Sequence, residues 1–260
     1  MAAPGSRRNG RLAVLLAAAV LSAACVRAIA PPREDVSEEA RRAVALLAER
    51  WHAFADLRTL ADIRIERAGE RRQLTGVLLA RAPASVRVEA LSPLGQPLLL
   101  AVIHDGRLVA YDATANSALV GPATADTAAK LLSLPFDPDD LVGVLAGRPA
   151  PPKDLRRADL MAADEDGPSI ELAGALHRQR VWMDFATGVV RQVEIIGGRY
   201  AVRVTYLLRE DGRPVGFDLA GAEGRLTGTV RYRDPLYDAG LDLARFSLTL
   251  PERAKIEELR

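Results

Sequence analysis

Few side chains in this sequence are placed to do covalent chemistry. There is one cysteine, Cys25, so no internal disulfide can form. The three histidines, His52, His104 and His177, are scattered, and no His/Cys/Asp set with metal-ligand spacing accompanies them. His52 reads as a boundary residue on a helix, His104 as the neighbour of a turn, and His177, in the polar stretch AGALHRQR, as exposed. Two acidic groups invite a calcium reading: Asp137, Asp139 and Asp140, and then Asp164, Glu165 and Asp166. Calcium loops place oxygen ligands at alternate positions and end on a glutamate, a spacing absent here. The first group reads instead as a helix start and the second as a solvated turn. No G-x-S-x-G elbow and no glycine-rich phosphate loop occurs. The sequence therefore leads us to expect no enzyme, no metal and no cofactor.

Cys25 has a different context. Met1–Arg11 is short and basic, Leu12–Leu21 is an apolar run of about ten residues, and small residues lead to the cysteine. A run of that length cannot span a bilayer as a helix, which needs about 20 residues. The pattern resembles a bacterial lipoprotein signal, in which the cysteine becomes the acylated first residue of the mature chain. Leu21 stands one place earlier than the usual leucine, so ordinary cleavage after Ser22-Ala23-Ala24 is the competing reading. Acyl chains contribute about 0.8 kcal/mol per buried CH₂, so several of them would anchor the chain permanently. By the same resemblance, Val26 in place of aspartate favours the outer membrane. Residues 1–24 are thus expected to be the signal, 25–36 a lipidated tether with Pro31-Pro32, and 37–260 one folded domain.

The stretch Val86–Ile103 organises that domain. Two apolar runs flank Ser92-Pro93-Leu94-Gly95, where proline at the second position and glycine at the fourth suit a type I turn. Hairpin tips usually carry Asn, Asp or Gly. This one carries Leu94, whose exposure forgoes roughly 1.5–3 kcal/mol of burial. Either Leu94 folds back onto the protein or it projects.

The elements around this hairpin are mostly strands. A first helix starts at Ser37 or Asp35 and carries an apolar stripe through Ala40, Val44, Leu47, Trp51 and Phe54. Alternating segments follow from Leu60 to Val120, with Val86, Val88 and Ala90 on one face and Arg87 and Glu89 on the other. Leu98–Ile103 is apolar on both faces, so its outer side must be covered or touch lipid. Short helices are expected from Thr124 to Leu132 and, capped by Asp137 with Pro138 in its first turn, up to Gly147. Strands return from Leu160, the last at about Ala244–Leu250, before a charged tail from Glu252. Eleven to thirteen short antiparallel strands at this spacing indicate an α+β, mainly antiparallel β, barrel or sandwich.

Composition narrows the partners. Hydrophobic residues make up 49% and aromatics only 5%, so the core is aliphatic. The segment before Cys25 holds Arg7, Arg8 and Arg11 and no acids, so its removal turns a formal charge of +1 slightly negative. Nucleic acid is not an expected partner of such a surface.

The order SPLGQ at 92–96, DGRLVAYDA at 105–113 and LLSLPFDPDDLVGVLAGRPAP at 131–151 resembles the LolB family of outer-membrane lipoprotein receptors. The resemblance covers roughly residues 37–250 in layout and is closest over 85–151. It departs at Gly76–Arg81, which lacks the family's aromatics, and after 151, where the chain is longer. It implies an unclosed half β-barrel of about eleven strands with an N-terminal helix and a central helical lid over an apolar cavity. It also implies a monomer that takes lipoprotein acyl chains from a LolA-like periplasmic carrier and inserts them into the inner leaflet of the outer membrane. The protruding leucine of the family's P-L-G turn falls on Leu94, between Pro93 and Gly95.

The residues themselves accord with such a role. An apolar trough capped by amphipathic helices binds acyl chains by burial, with no catalytic group. The expected lining is Ile63, Ile65, Leu74, Val86, Val88 and Leu99 from strands, Leu141, Val144 and Leu145 from the central helix, and Trp182. Singly, each could equally be plain core. The alternative is an envelope assembly lipoprotein of the same fold whose trough is filled by side chains.

Overall fold

The computed structural model describes residues 31–124, 126–128, 136–175, 177–197, 200–221, 224 and 226–259. The signal segment and Cys25 lie outside these residues, as does most of the helix expected over Thr124–Leu132, of which Asp126–Ala128 is described and helical.

Helix α1, Glu38–His52, starts where the sequence places it. Ser37 Oγ accepts the Ala40 N–H at 3.2 Å, and Glu38 and Glu39 sit at its positive end. It buries Ala40, Ala43 and Leu47, while His52 is exposed in the last turn. Helix α2, Pro138–Ala146, has proline in its first turn and stops at Gly147, whose φ of +65° closes the end as a left-handed cap.

Most of the rest is one largely antiparallel sheet. Its first half comprises β1 (Asp56–Arg67), β2 (Glu70–Arg81), β3 (Ser85–Leu91), β4 (Pro97–His104), β5 (Arg107–Asp112) and β6 (Ser117–Pro122). Its second half comprises β7 (Arg157–Asp164), β8 (Gly167–Ala173), β9 (His177–Met183), β10 (Val190–Gly197), β11 (Tyr200–Leu208), β12 (Pro214–Gly221) and β13 (Leu226–Tyr237). A last strand, β14 (Lys255–Glu258), lies parallel to β6. Each half is a meander, and the two join where β1 pairs with β13, Ile63 opposite Val230. The spatial order runs from β14 through β6 to β1, then from β13 down to β7. The sheet does not close, because β14 and β7 are its edges.

Strand alternation gives this sheet an inner face toward the helices and an outer face. Ala61, Gly76 and Ala90 form a row of small inner residues across β1, β2 and β3. A Cβ on Gly76 would lie 2.1 Å from the Glu89 carbonyl oxygen, so the neighbouring backbone approaches as only glycine permits. Inside, Leu57, Leu78, Val86, Ile103 and Leu108 from the first half meet Ile170, Val181, Val193, Val204 and Phe217 from the second. The main aliphatic core lies between them and the helices. Tyr232 Oη donates to the Leu145 carbonyl at 2.7 Å and fixes α2 against the sheet.

The structure alters the strand list in three places. Fourteen strands are found among the described residues, against eleven to thirteen expected from the pattern and about eleven from the resemblance. The expected strand at Ala244–Leu250 is instead a 3-10 turn, Leu243–Phe246, followed by extended chain. The charged tail contributes β14, where a sheet edge supplies backbone partners that charged side chains do not oppose. The turn segment covers the outer face of β2 and β4: Leu241 and Phe246 bury Leu79 and Val102 there. This covers Val102, while Leu98 on the same outer side of the run stays exposed.

One carboxylate holds that cover in place. Asp56 is 2% exposed, and its oxygens accept the backbone N–H groups of Ala239, Gly240 and Leu241 at 2.9–3.0 Å. Asp56→Ala removes the acceptor of three backbone donors, of which the Leu241 N–H is buried, so urea denaturation should register a loss of roughly 1–3 kcal/mol. Removing the exposed Asp218–Arg231 pair by Asp218→Ala should register less than about 1 kcal/mol.

Candidate functional site

The Ser92–Gly95 turn forms as the sequence dictates. Gly95 N–H donates to the Ser92 carbonyl at 2.8 Å, and Ser92 and Gln96 close the hairpin with a bond of 2.7 Å. Ser92 Oγ accepts the Gln96 N–H at 3.0 Å. Gly95 takes φ of +78°, a value a bulkier residue adopts only with strain. The turn thus pins its own backbone, and Leu94 is left 88% exposed between Pro93 and Gly95. It projects rather than folding back. Leu98, on the following strand, is 40% exposed, which extends the apolar tip.

The ten residues expected to line a cavity divide into three groups. Val86, Leu141, Val144 and Leu145 are at most 4% exposed and belong to the packed core beneath α2. There the inner face is filled by side chains. Ile63, Ile65, Leu74, Val88 and Leu99 also lie on the inner face by alternation, but they are half-buried. Register brings these five together toward one end of the sheet: Ile63 faces Leu74, and Leu99 is opposite Ala90, two residues on from Val88. The Leu94 turn closes the same end of β3 and β4. A half-covered aliphatic strip with the projecting Leu94 turn at its end is the result.

Trp182 is the correction. It lies on the outer face of β9, because Gln179, Val181 and Met183 take the inner positions. Its Nε1 donates to Asp164 at 3.0 Å, and the Arg180 guanidinium lies 4.4 Å from its ring centroid. Burial works against the Asp164 charge, but bonds from Trp182 and Arg180 hold that carboxyl below its ordinary range. The tryptophan is buried by a polar surface cluster, which hydrophobicity alone does not distinguish from a core position.

Two features escaped the sequence. A groove of about 660 Å³ opens on the outer face, with an aliphatic floor of Leu60, Val77 and Leu79 and a rim that includes Arg58 and Arg245. The continuous apolar run Val77–Ala80 is its only sequence trace. The second feature joins Asp140 of α2 to β9. Gln179 Nε2 donates to Asp140 Oδ1 at 3.2 Å, and His177 Nε2 lies 3.6 Å from Asp140 Oδ2. Burial pushes the Asp140 carboxyl up to about 6, a rise that His177 opposes. His177 is therefore not an exposed hairpin residue; its side chain is 19% exposed and faces the helix. His104 binds Ser85 Oγ at 2.8 Å and packs near Phe246, as a structural neighbour of its turn.

No protein-family model matches the sequence, and no curated protein matches it. Solved structures do match in fold. A domain from Vibrio parahaemolyticus described as an outer membrane lipoprotein-sorting protein shares 14% identity over 80% of this chain and 97% of its own, with a TM-score of 0.56. A LolA superfamily protein from Nitrosomonas europaea shares 12% over 80% and 97%, with a TM-score of 0.56. A DUF1329 family protein from Desulfovibrio piger shares 13% over 81% and 98%, with a TM-score of 0.60. The chain has the fold of these structures, an open, largely antiparallel sheet with few helices.

The division of the inner face has a measurable consequence. Leu145→Ala should cost about 2–5 kcal/mol in thermal or urea unfolding, as a buried leucine does. Leu94→Ala should change stability by no more than about 0.5 kcal/mol. Leu99→Ala should fall between the two.

Proposed function

We propose that this protein is a lipid-anchored envelope protein that receives the acyl chains of other lipoproteins in its aliphatic trough and helps insert them into the outer membrane. The observation that carries this reading is the Leu94 tip, 88% exposed at the end of the sheet where Ile63, Ile65, Leu74, Val88 and Leu99 are only half-covered. Hydrocarbon gains roughly 25 cal/mol per Å² when it leaves water, so an acyl chain laid on that surface is held by burial alone. Aliphatic walls make no hydrogen bonds that would oppose release. Leu94 and Leu98 can enter the interfacial zone of a bilayer beside the bound chain.

In this reading Cys25 carries the anchor, and the Val26 that follows it directs the protein to the outer membrane. The donor is a LolA-like periplasmic carrier, and the receptor acts as a monomer without catalysis. The folds of the lipoprotein-sorting domain from Vibrio parahaemolyticus and the LolA superfamily protein from Nitrosomonas europaea support it. A second reading, an assembly lipoprotein with no lipid cargo, draws on the filled inner face beneath α2, where Leu141, Val144 and Leu145 leave no room.

Reconstituted transfer distinguishes them. Leu94→Glu should reduce insertion of an acylated client into outer-membrane vesicles at least about tenfold, while thermal unfolding is unchanged. Equal transfer by the variant and the native protein would remove the proposed role of the turn, and no transfer by either would favour the assembly reading. Cys25→Ser should release the protein from membranes on fractionation, and retention would contradict the anchor.

A further inference from the structure

The groove on the outer face stands where the seam between β1 and β13 is irregular. Thr59 lies opposite two residues, Asp234 and Pro235, so β13 carries one residue more than its partner there. Asp234 takes φ of +50°, in the left-handed region, and Pro235 has no N–H to offer the ladder. Thr59, 4% exposed, pins the bulge by donating its hydroxyl to the Arg233 carbonyl at 2.9 Å. The extra residue changes which way Leu236 points. Uninterrupted alternation from Arg233, on the outer face opposite Leu60, would turn residue 236 inward. The bulge brings Leu236 out opposite Arg58 instead, where it is 52% exposed. Leu60, nearby on β1, is exposed as well. A backbone irregularity that puts a leucine into water beside a groove marks a surface shaped for a partner.

The charges around the groove have a sign. Its lining holds four arginines against two acids, Glu89 and Asp234. Arg87 is occupied by Glu89 at 2.6 Å and by the Arg245 and Ser247 carbonyls at 3.0 Å, and Arg233 by Asp62 at 2.7 Å. The exposed guanidiniums of Arg58 and Arg245 have no hydrogen bond or ion pair among the described residues. They flank the aliphatic floor from opposite sides. Arg58 stands on β1, Val77 and Leu79 on β2, and Arg245 lies by β3, where its carbonyl meets Arg87. The strands β1 and β3 are two strand spacings apart, about 10 Å. A single-headed lipid presents charge at one end only and does not meet both sides. An extended peptide advances about 3.3 Å per residue, so acids about three positions apart bridge that distance over the floor.

We propose that this groove docks an extended segment of a partner protein, with acidic residues about three positions apart and an aliphatic side chain between them. Its carboxylates pair with Arg58 and Arg245, and its aliphatic side chain covers Leu60 and Leu236. The inference does not rest on the reading of the inner face.

The test is fluorescence anisotropy of a labelled peptide containing Glu-Leu-Val-Glu, titrated with the full-length protein at low salt, beside a Lys-Leu-Val-Lys counterpart. Saturable binding of the first and none of the second is expected. Arg58→Glu and Arg245→Glu should each weaken binding at least about tenfold with thermal unfolding unchanged, and Asp234→Asn should leave it as tight or tighter. Leu236→Ser, which alters no charge, should weaken it as well. Absence of binding, equal binding of the lysine peptide, or binding unchanged in both arginine variants overturns the proposal. Should dodecyl phosphate, and not the peptide, shift the methyl signals of Leu60 and Leu236, the groove belongs to an amphiphile and the proposal falls.

Discussion

An antiparallel sheet with one apolar face must cover that face or leave it in water. Here, among the described residues, fourteen strands present a longer inner face than α1 and α2 cover. The helices lie over the part lined by Leu57, Val86 and Val181, where packing is complete. Toward the Leu94 end the same alternation continues through Ile63, Ile65, Leu74, Val88 and Leu99, which the described residues leave only half-buried. The half-exposed aliphatic surface follows from that mismatch between sheet and helices. Everything assigned to the protein's function rests on this surplus of apolar sheet.

The opposite face is treated differently. Over β2 and β4 the chain returns after β13 and lays Leu241 and Phe246 onto Leu79 and Val102. The three N–H groups that make this return possible are satisfied by Asp56, at the start of β1. Over β8, β9 and β10 the outer face is polar instead, with Trp182 enclosed by Asp164, Arg180 and Arg203. Parts of the outer side are thus covered by short-range devices, whereas part of the inner side stays half-exposed among the described residues.

Much of this was legible in the sequence, and the reasons differ by residue. Ser92-Pro93-Leu94-Gly95 is local: the conformation of each residue is set by its neighbours, so the turn could be read in advance, whereas whether Leu94 folds back or projects could not. The period-two alternation of Val86 and Val88 fixed their face for the same reason. Trp182 was misplaced because β9 is apolar on both sides at Val181, Trp182 and Met183, and periodicity then carries no sign. The extent of cover over each lining residue depends on contacts between α2 and strands distant in sequence, which no spacing rule reveals. The meeting of Asp140 with His177 and Gln179 is of the same kind, since it joins a helix to a strand across 39 residues. The tail strand β14 was hidden by its charges, which matter little at an edge where only the backbone pairs.

The central claim is that the uncovered end of the inner face, and not the sealed or grooved outer face, takes hydrocarbon. It is tested most directly by methyl NMR of the protein titrated with an acylated peptide bearing a nitroxide on its acyl chain. The account predicts strong paramagnetic broadening of the methyl groups of Ile63, Ile65, Leu74, Val88 and Leu99, with those of Leu79, Val102 and Leu248 unaffected. Broadening confined to the outer-face methyls, or none at saturating peptide, would contradict it.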